Sequence, residues 1–169
     1  QIIWLEAHGW RRDLARSQRY VAETLGRTPP GADMWLRAQI LRQLLTLNAD
    51  QPDQLLLVQH EMASCVPTET AASAYGYAFG GSTFILMLSG QSALVDSSIH
   101  HLTEALAPFA ESNPIVAAWI ETCQSFWLGF CRDQPWVALQ LAQSAVLKFV
   151  SVNDELNACT PKTFAAMHS

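Results

Sequence analysis

Apolar residues recur every three or four positions along most of this chain, in runs separated by short polar turns. Two clear runs are Trp35, Ala38, Leu41, Leu45 and Val137, Leu141, Ala145, Phe149. Spacings of i, i+3 or i+4, and i+7 predict amphipathic helices. No run of strict alternation is long enough to compete as a sheet, so the pattern predicts an all-α protein.

Turn signals divide the helical runs into repeats of about 41 residues. The segment "LNADQPDQLLL" around Asp50 recurs as "CRDQPWVALQL" around Asp133, with Gly90 between them and Gly9 further back. The spacings between these four turn residues are 41, 40 and 43. Because each turn lies between two helical runs, the chain is predicted to form a series of antiparallel helix pairs.

The breaks between pairs contain proline or glycine, in "GRTPPGAD", "CVPTETA" and "AESNPIV". Asp33, Thr68 and Asn113 are placed to cap the helix that follows each break. Three prolines fall near first turns, where a missing N–H costs nothing: Pro52, Pro114 and Pro135. We therefore predict one repeat domain over residues 1–169. It comprises a partial pair at 1–26, full pairs at 33–65, 69–109 and 114–150, and a further helix from 154.

The second helices of two pairs match in sequence at an offset of 40. Ser98, Leu102, Ala105 and Phe109 correspond to Ala138, Ala142, Ala145 and Phe149. Small residues at the first and third of these places would let neighbouring helices approach closely.

The stretch "AYGYAFGGSTFILMLSG", residues 74–90, has the appearance of a membrane span. There is no charge in the 26 residues between Glu69 and Asp96, and Gly76 and Gly80 form a GxxxG pair. However, the stretch is interrupted by serine, threonine and glycine, and no basic residues flank it as anchors. It also occupies the place of a first helix in the repeat. We therefore interpret it as a buried helix of a repeat protein, with its glycines at close helix contacts.

Charged residues make up 15% of the chain and are unevenly distributed. Residues 1–42 hold seven arginines and four acids, whereas residues 43–131 hold eight acids and no lysine or arginine. This distribution argues against a nucleic-acid partner. The cysteines show no CxxC spacing and the chain begins without a basic leader, so we expect free thiols and a cytoplasmic protein.

Arginines near the start share one helical stripe: Arg12, Arg16 and Arg19. A solvated helix face is the first explanation. The alternatives are a site for an anion or acidic partner, and docking of this basic end on the acidic middle of a neighbouring copy.

The spacing of Ala138, Ala142 and Ala145 resembles that in the second helix of tetratricopeptide repeats. The end of the chain, "FVSVNDELNACTPKTFAAMHS", resembles a junction in the tetratricopeptide-like superhelices of large bacterial regulators. In that junction a Gly-Asp turn precedes an Asn-Ala-Cys group; Asn153 stands where the glycine would be, and Asn157, Ala158 and Cys159 match directly. The resemblance implies a right-handed superhelix of antiparallel helix pairs, an α-solenoid. It further implies that any ATPase or serine/threonine kinase module lies outside this segment.

Candidate catalytic and metal-binding residues are few. His60 is next to Glu61, and His100 and Glu104 share a helical face, but paired Glu-x-x-His motifs are absent. Nucleophile and phosphate-loop motifs are also absent, since "FGGS" at 79–82 lacks the lysine of a phosphate loop. We therefore expect no enzyme activity, no metal and no cofactor in this segment.

Six tryptophans are numerous for this length, and most are expected in the core, with Trp127 as the exception. By similarity to the family, the inner surface of the first helices would line a groove. In this chain it would include Arg37, Tyr77, Glu121, Gln124 and Trp127.

The sequence therefore favours a scaffold or sensor that binds a protein, a peptide or an adjacent domain, with self-association through exposed solenoid ends as a further expectation. The competing hypothesis is a compact helical domain with a pocket for a small apolar molecule. Its lining would comprise Tyr75, Phe79, Phe84 and Trp119.

Overall fold

The computed structural model of the chain describes residues 14–48 and 52–168, and these form helices joined by short turns. Within these ranges there are eight helices and no strand, which confirms the all-α prediction. The helices are α1 (Leu14–Arg27), α2 (Asp33–Asn48), α3 (Pro52–Ala63), α4 (Ala72–Leu88), α5 (Ser92–Ala110), α6 (Pro114–Cys131), α7 (Pro135–Ser151) and α8 (Glu155–His168).

The helix boundaries follow the predicted local signals. Asn113 caps α6, because its Oδ1 accepts hydrogen bonds from Ile115 N at 3.1 Å and Val116 N at 3.4 Å. The three prolines predicted in first turns begin α3, α6 and α7. Asp33 is instead the first residue of α2, and Thr68 precedes α4 by a separate turn in which its carbonyl accepts from Ala71 N.

The turn residues at Gly90 and Asp133 adopt left-handed backbone conformations, with φ of 76° and 51°. They lie between α4 and α5 and between α6 and α7, at the predicted inter-helix turns. Asn153, before α8, has φ of 59°. Glycine adopts this region freely because it has no Cβ, and asparagine and aspartate tolerate it better than other residues with a side chain. All three residues are therefore compatible with the turns in which they lie.

The described residues form two compact units, an N-terminal unit that ends at Ser82 and a C-terminal unit that starts at Thr83. In the N-terminal unit, α2 packs against both α1 and α3. Its fully buried side chains include Leu36, Val58, Met62, Tyr75 and Phe79. The stretch predicted to be a buried helix forms α4, and Gly81 lies close to α2: a Cβ on Gly81 would be 3.0 Å from Ile40 Cδ1.

A polar network crosses the core of the N-terminal unit. Gln43 Nε2 donates to Ser82 Oγ and to the Leu55 carbonyl, and Ser82 Oγ donates to Gln59 Oε1. Gln39 and Glu61 continue it towards the surface, where Glu61 accepts from Gln39 at 2.7 Å. The network therefore joins α2, α3 and α4 by hydrogen bonds as well as by apolar packing.

In the C-terminal unit, α6 packs against α5 and α7, and α7 packs against α8. Its core cluster comprises Phe126, Ala138, Ala142 and Phe164, with Phe84 and Met87 packed against it. The ring of Phe126 lies between those of Phe84 and Phe164, with centroid separations of 4.8 and 4.9 Å. The buried alanines of α7 allow it to approach α6 and α8 closely.

Burial corrects the predicted register between the second helices α5 and α7. The buried residues of α7 are Ala138, Ala142, Ala145 and Phe149. At an offset of 43 they correspond to Val95, Ile99, Leu102 and Leu106, which are all buried. At the predicted offset of 40 they correspond in part to Ala105 and Phe109, which are only half-buried. The offset of 40 was therefore wrong for this pair, and the register follows the spacing of their turns, Gly90 and Asp133.

Among the described residues, no helix is both long and apolar enough to cross a membrane.

Candidate functional site: polar stripe and cavity

The residues predicted to line a groove fall in both compact units. Arg37 and Tyr77 lie in the N-terminal unit, with Arg16 and Arg19; Glu121, Gln124 and Trp127 lie in the C-terminal unit. Arg12 lies outside the described residues. Each group has its own set of contacts.

Arg37 and Tyr77 are brought together from α2 and α4. The guanidinium carbon of Arg37 lies 5.8 Å from the centre of the Tyr77 ring, within cation–π range. Arg37 Nε also donates to Asp33 Oδ2 at 3.1 Å, one turn earlier on the same helix. Both side chains are half-buried, so the pair presents a polar aromatic surface rather than a buried core contact.

The arginines of α1 lie on a solvated face. Arg16 and Arg19 are exposed, and Arg19 Nε is 3.0 Å from Glu23 Oε1 at i,i+4 spacing. Exposed pairs of this kind contribute little to stability. This local geometry is that of a solvated helix face, the first explanation offered by the sequence.

The α6 stripe, formed by Glu121, Gln124 and Trp127, is engaged by the helices on both sides. Glu121 accepts from Lys148 Nζ of α7 at 2.8 and 2.9 Å. Gln124 Nε2 donates to Thr103 Oγ1 of α5 at 3.4 Å. The stripe therefore makes polar contacts with both second helices that neighbour α6.

Trp127 forms the centre of a three-residue cluster. Its indole Nε1 donates to Asp96 Oδ1 of α5 at 2.7 Å, and Arg132 pairs with the second oxygen of the same carboxylate. The guanidinium carbon of Arg132 is 5.2 Å from the Trp127 ring centre. The indole is half-buried, and its donor already has an acceptor. Trp127 thus connects the end of α6 to the first turns of α5 and exposes part of its ring.

The thiol of Cys131 lies near this cluster, and its pKa is raised by burial and by the Asp96 carboxylate, against an opposing effect of Arg132. Cys123, by contrast, is buried in α6, and burial raises the pKa of its thiol from 9.0 to about 12. The described cysteines are all free thiols. A raised pKa disfavours the nucleophilic thiolate, so neither Cys123 nor Cys131 has the character of an activated nucleophile.

A cavity of about 310 Å³, which we call the α1–α2 cavity, lies in the N-terminal unit. Its lining residues come from the first three helices: Gln18, Val21, Ala22, Leu25, Arg42, Leu45, Thr46 and Gln54. Val21, Leu25 and Leu45 supply an apolar surface. Arg42 lies at one side, where its Nη1 is 2.8 Å from Glu61 Oε2. The cavity can accept an apolar group with polar atoms at its rim.

The residues expected to line an internal pocket are packed against protein. The Tyr75 and Phe79 rings stack with centroids 5.4 Å apart, and both are fully buried. Trp119 packs edge-on to Phe149 at 5.2 Å in the other unit. The lining of the α1–α2 cavity includes none of these residues.

The candidate metal ligands are dispersed. His100 Nε2 lies 3.2 Å from Glu104 Oε1, which confirms that they share a helix face, and both are exposed. Glu61 is engaged by Arg42 and Gln39, while the neighbouring His60 is exposed. Within residues 14–48 and 52–168, no three His, Cys, Asp or Glu side chains converge to hold an ion.

Three surface features were missed from the sequence. Trp136 was counted with the expected core tryptophans but is 77% exposed, and Phe130 is exposed although it contacts Phe126 and Phe164. The α1–α2 cavity had no sequence signal, because its lining residues come from separate helices. The position of Trp136 directly after Pro135, at the start of a helix, was the available hint of exposure.

Comparison with known protein families, with characterised proteins and with solved structures gives no match for this sequence.

Proposed function

We propose that this chain is a non-catalytic binding segment, a tetratricopeptide-like solenoid that holds a protein or peptide partner within a cytoplasmic bacterial signalling or transcription-regulating protein. The observation that carries the proposal is the recurrence of helix pairs. First helices begin at residues 33, 72, 114 and 155, and second helices begin at residues 52, 92 and 135. Repeated units of this kind build extended binding surfaces rather than a single closed active site.

The burial pattern of the second helices supports the repeat. Leu55, Val58, Gln59 and Met62 of α3 are buried, and so are the residues 40 positions later, Val95, Ser98, Ile99 and Leu102. The buried residues of α7 follow those of α5 at an offset of 43 residues, as described above. The same face of each second helix is therefore buried at intervals of about one period, which supports a stack of helix pairs.

The start of α8 supports the resemblance to the bacterial regulators. Asp154 Oδ1 accepts from Asn157 N at 3.2 Å, and Asp154 Oδ2 accepts from the Asn157 side chain at 2.7 Å. Asn153 has the positive φ that a glycine would adopt at this position. The Asn-Asp turn and Asn157 thus make a local helix start equivalent to a Gly-Asp junction, and Ala158 is buried behind it.

The α1–α2 cavity is the best place in the N-terminal unit for an anchoring side chain of a peptide. Its apolar lining would bury an aliphatic or aromatic group, while Gln18, Gln54 and Arg42 provide polar partners for peptide groups at the rim. Ala22 lines the cavity and is itself exposed. A large side chain at this position would occupy the cavity without replacing a core residue.

The test is selection of peptides from a displayed random library, followed by fluorescence anisotropy with the 169-residue chain. We expect saturable binding with a dissociation constant below about 100 μM. Ala22→Trp should weaken binding at least tenfold, whereas Ala15→Trp, at another exposed alanine of α1, should leave it within threefold. Failure to select any saturable peptide, or equal effects of the two substitutions, would contradict peptide binding at this cavity.

A small apolar ligand remains the second candidate, because a volume of about 310 Å³ is at the lower end of small-molecule pockets. Native mass spectrometry of the purified chain distinguishes the two. A retained small molecule that is displaced by Ala22→Trp would favour the ligand, and an unliganded mass together with selected peptides would favour the scaffold.

A further inference from the structure

Arg42 is the only charged residue among the described residues that line the α1–α2 cavity. One nitrogen of its guanidinium, Nη1, donates to Glu61 Oε2 at 2.8 Å and to Gln39 Oε1 at 3.4 Å. In the part of the chain that the structure describes, Nε and Nη2 of Arg42 have no hydrogen-bond partner. Because a guanidinium carries five N–H donors, the edge formed by Nε and Nη2 remains available to an acceptor in the cavity.

Glu61 and Gln39 fix the position of this guanidinium. Gln39 Nε2 donates to the same oxygen, Glu61 Oε2, at 2.7 Å, so the three side chains hold one another in a closed set of hydrogen bonds. Gln39 is fully buried, which leaves the set little freedom to rearrange. An arginine that is already held in place loses less conformational entropy when it binds a ligand.

The rest of the cavity offers apolar contact next to this polar edge. Val21 is buried, and Leu25 and Leu45 are half-buried. A volume of about 310 Å³ accommodates a short aliphatic chain but not a large ring system. The cavity thus combines a small apolar surface with one fixed pair of N–H donors.

The charge around the cavity favours an anion over an ammonium group. Helices α1 and α2 together carry five arginines and two acids. They also supply all of the described lining residues except Gln54. The positive potential of these helices should therefore attract a negatively charged group and repel an amine.

We propose that the α1–α2 cavity binds an aliphatic carboxylate. The aliphatic part packs against Val21, Leu25 and Leu45, and the two carboxylate oxygens accept from Nε and Nη2 of Arg42 in the parallel geometry that this pair of groups favours. Because Glu61 already neutralises part of the charge on Arg42, the site suits a single negative charge better than a phosphate dianion. The proposal rests on this cavity being the binding site proposed above, and it names the chemistry of the bound group.

Titration of the ¹⁵N-labelled 169-residue chain, followed by NMR chemical shifts, tests the carboxylate. The probes are hexanoate and hexanamide, which have the same shape but differ in charge. Hexanoate should bind with a dissociation constant of about 1 mM or below. Hexanamide should bind at least tenfold more weakly, since hydrogen bonds to a charged acceptor are the stronger ones.

The two probes separate a failure of this proposal from a failure of the binding site. Equal binding of hexanoate and hexanamide would overturn the carboxylate and leave the cavity as a binding site. Binding of neither would also overturn the carboxylate, and the peptide selection described above would then decide whether the cavity binds at all.

Three variants test the roles of the charged side chains. Arg42→Gln should weaken hexanoate binding at least tenfold. Glu61→Gln keeps an acceptor for Arg42 but removes a competing charge, so it should strengthen hexanoate binding at least threefold and leave hexanamide unchanged. The control, Arg19→Gln, removes an exposed charge that pairs with Glu23 outside the cavity, and it should change hexanoate binding less than twofold.

Equal weakening by Arg42→Gln and Arg19→Gln would show attraction by general charge and would overturn the proposal. Circular dichroism checks that each variant is folded. If Arg42→Gln does not fold, Arg42→Lys replaces it, because lysine keeps the charge without the two-nitrogen edge and should still weaken hexanoate at least threefold.

The same carboxylate occurs in a free acid and at the last residue of a peptide. N-acetyl-leucine distinguishes these sources, because its amide group can also bind Gln18 and Gln54 at the rim. Tighter binding of N-acetyl-leucine than of hexanoate assigns the site to a peptide end, and the reverse order assigns it to a free acid. Ala22→Trp should abolish the binding of both, and binding that survives this substitution would place the ligand outside the cavity and overturn the proposal.

Discussion

Gly129 of α6 lies against the ring of Phe164 of α8, so closely that a Cβ on Gly129 would be 2.6 Å from Phe164 Cζ. Phe164 is fully buried and also packs edge-on against Phe126 and Phe130, with centroids 4.9 and 5.4 Å away. The ring therefore has little room to move. The absence of a side chain at position 129 is what lets α8 pack at this point of the C-terminal unit.

Gly129→Ala should accordingly destabilise the chain. Overpacking costs about 1 to 3 kcal/mol, and the gain in helix propensity returns about 1 kcal/mol, so we expect a net loss of about 1 kcal/mol. Chemical denaturation measures this difference. The control is Gly26→Ala, since a Cβ on Gly26 in α1 meets nothing within 4 Å and should stabilise by up to about 1 kcal/mol. Equal effects of the two substitutions would show that the contact with Phe164 is not restrictive.

The turn at Gly90 makes a second prediction, which depends on backbone conformation alone. A Cβ on Gly90 would meet nothing within 4 Å, but φ is 76°, a conformation that alanine rarely adopts. Gly90→Ala should therefore cost about 1 kcal/mol, and Gly90→Asn clearly less. The equivalent turn residue Asp133 has φ of 51°, so Asp133→Val should be the more damaging change there and Asp133→Gly close to neutral. Thermal unfolding of the four variants tests this order.

Much of this architecture could be predicted because its signals are local. Asn113 and the first-turn prolines act within one helical turn, and Gly90 and Asp133 mark turns through their own backbone preferences. The register between α5 and α7 was harder to predict from the sequence. The alanines of α7 fit buried positions whether α7 is aligned with α5 at an offset of 40 or at an offset of 43. Only the packing of the surrounding helices, which buries Val95 and Leu106, decides between offsets of 40 and 43.

The candidate site was less accessible to sequence reasoning because its contacts are distant along the chain. Trp127 could be recognised as a tryptophan outside the packing face, but its acceptor Asp96 is 31 residues away. Nothing in the spacing links the two. Likewise, tryptophan and leucine are residue types typical of a protein core. The exposure of Trp136 and Leu147 depends on which side of α7 the other helices cover.

The buried network in the N-terminal unit predicts strong coupling between two residues. Ser82→Ala removes a partner from both Gln43 and Gln59, and Gln43 Oε1 already has no hydrogen-bond partner among the described residues. An unsatisfied buried amide costs about 1 to 3 kcal/mol, so Ser82→Ala should destabilise by that amount. The double variant Gln43→Leu/Ser82→Ala should lose less than the sum of the single losses, by at least about 0.5 kcal/mol. Additive losses in a double-mutant cycle would show that the hydrogen bond between them contributes nothing.

The buried thiol of Cys123 predicts a loss of stability at alkaline pH. Burial raises its pKa from 9.0 to about 12 in the folded chain, whereas the unfolded chain has the ordinary value. Above pH 9 the unfolded thiol loses its proton while the folded one keeps it. The free energy of unfolding therefore falls as pH rises, by up to about 1.4 kcal/mol per pH unit from this group, until pH approaches 12.

Cys123→Ala isolates this contribution. It should lower stability at pH 7 through the small cavity it leaves, but its free energy of unfolding should decline less steeply than that of the wild type between pH 9 and pH 10. Urea denaturation across pH 7 to 10 provides both curves. If the two curves stay parallel above pH 9, the folded environment does not hold the Cys123 proton. A thiol reagent adds an independent check, since Cys123 should react only on unfolding, whereas the exposed Cys131 and Cys159 should be accessible in the native chain.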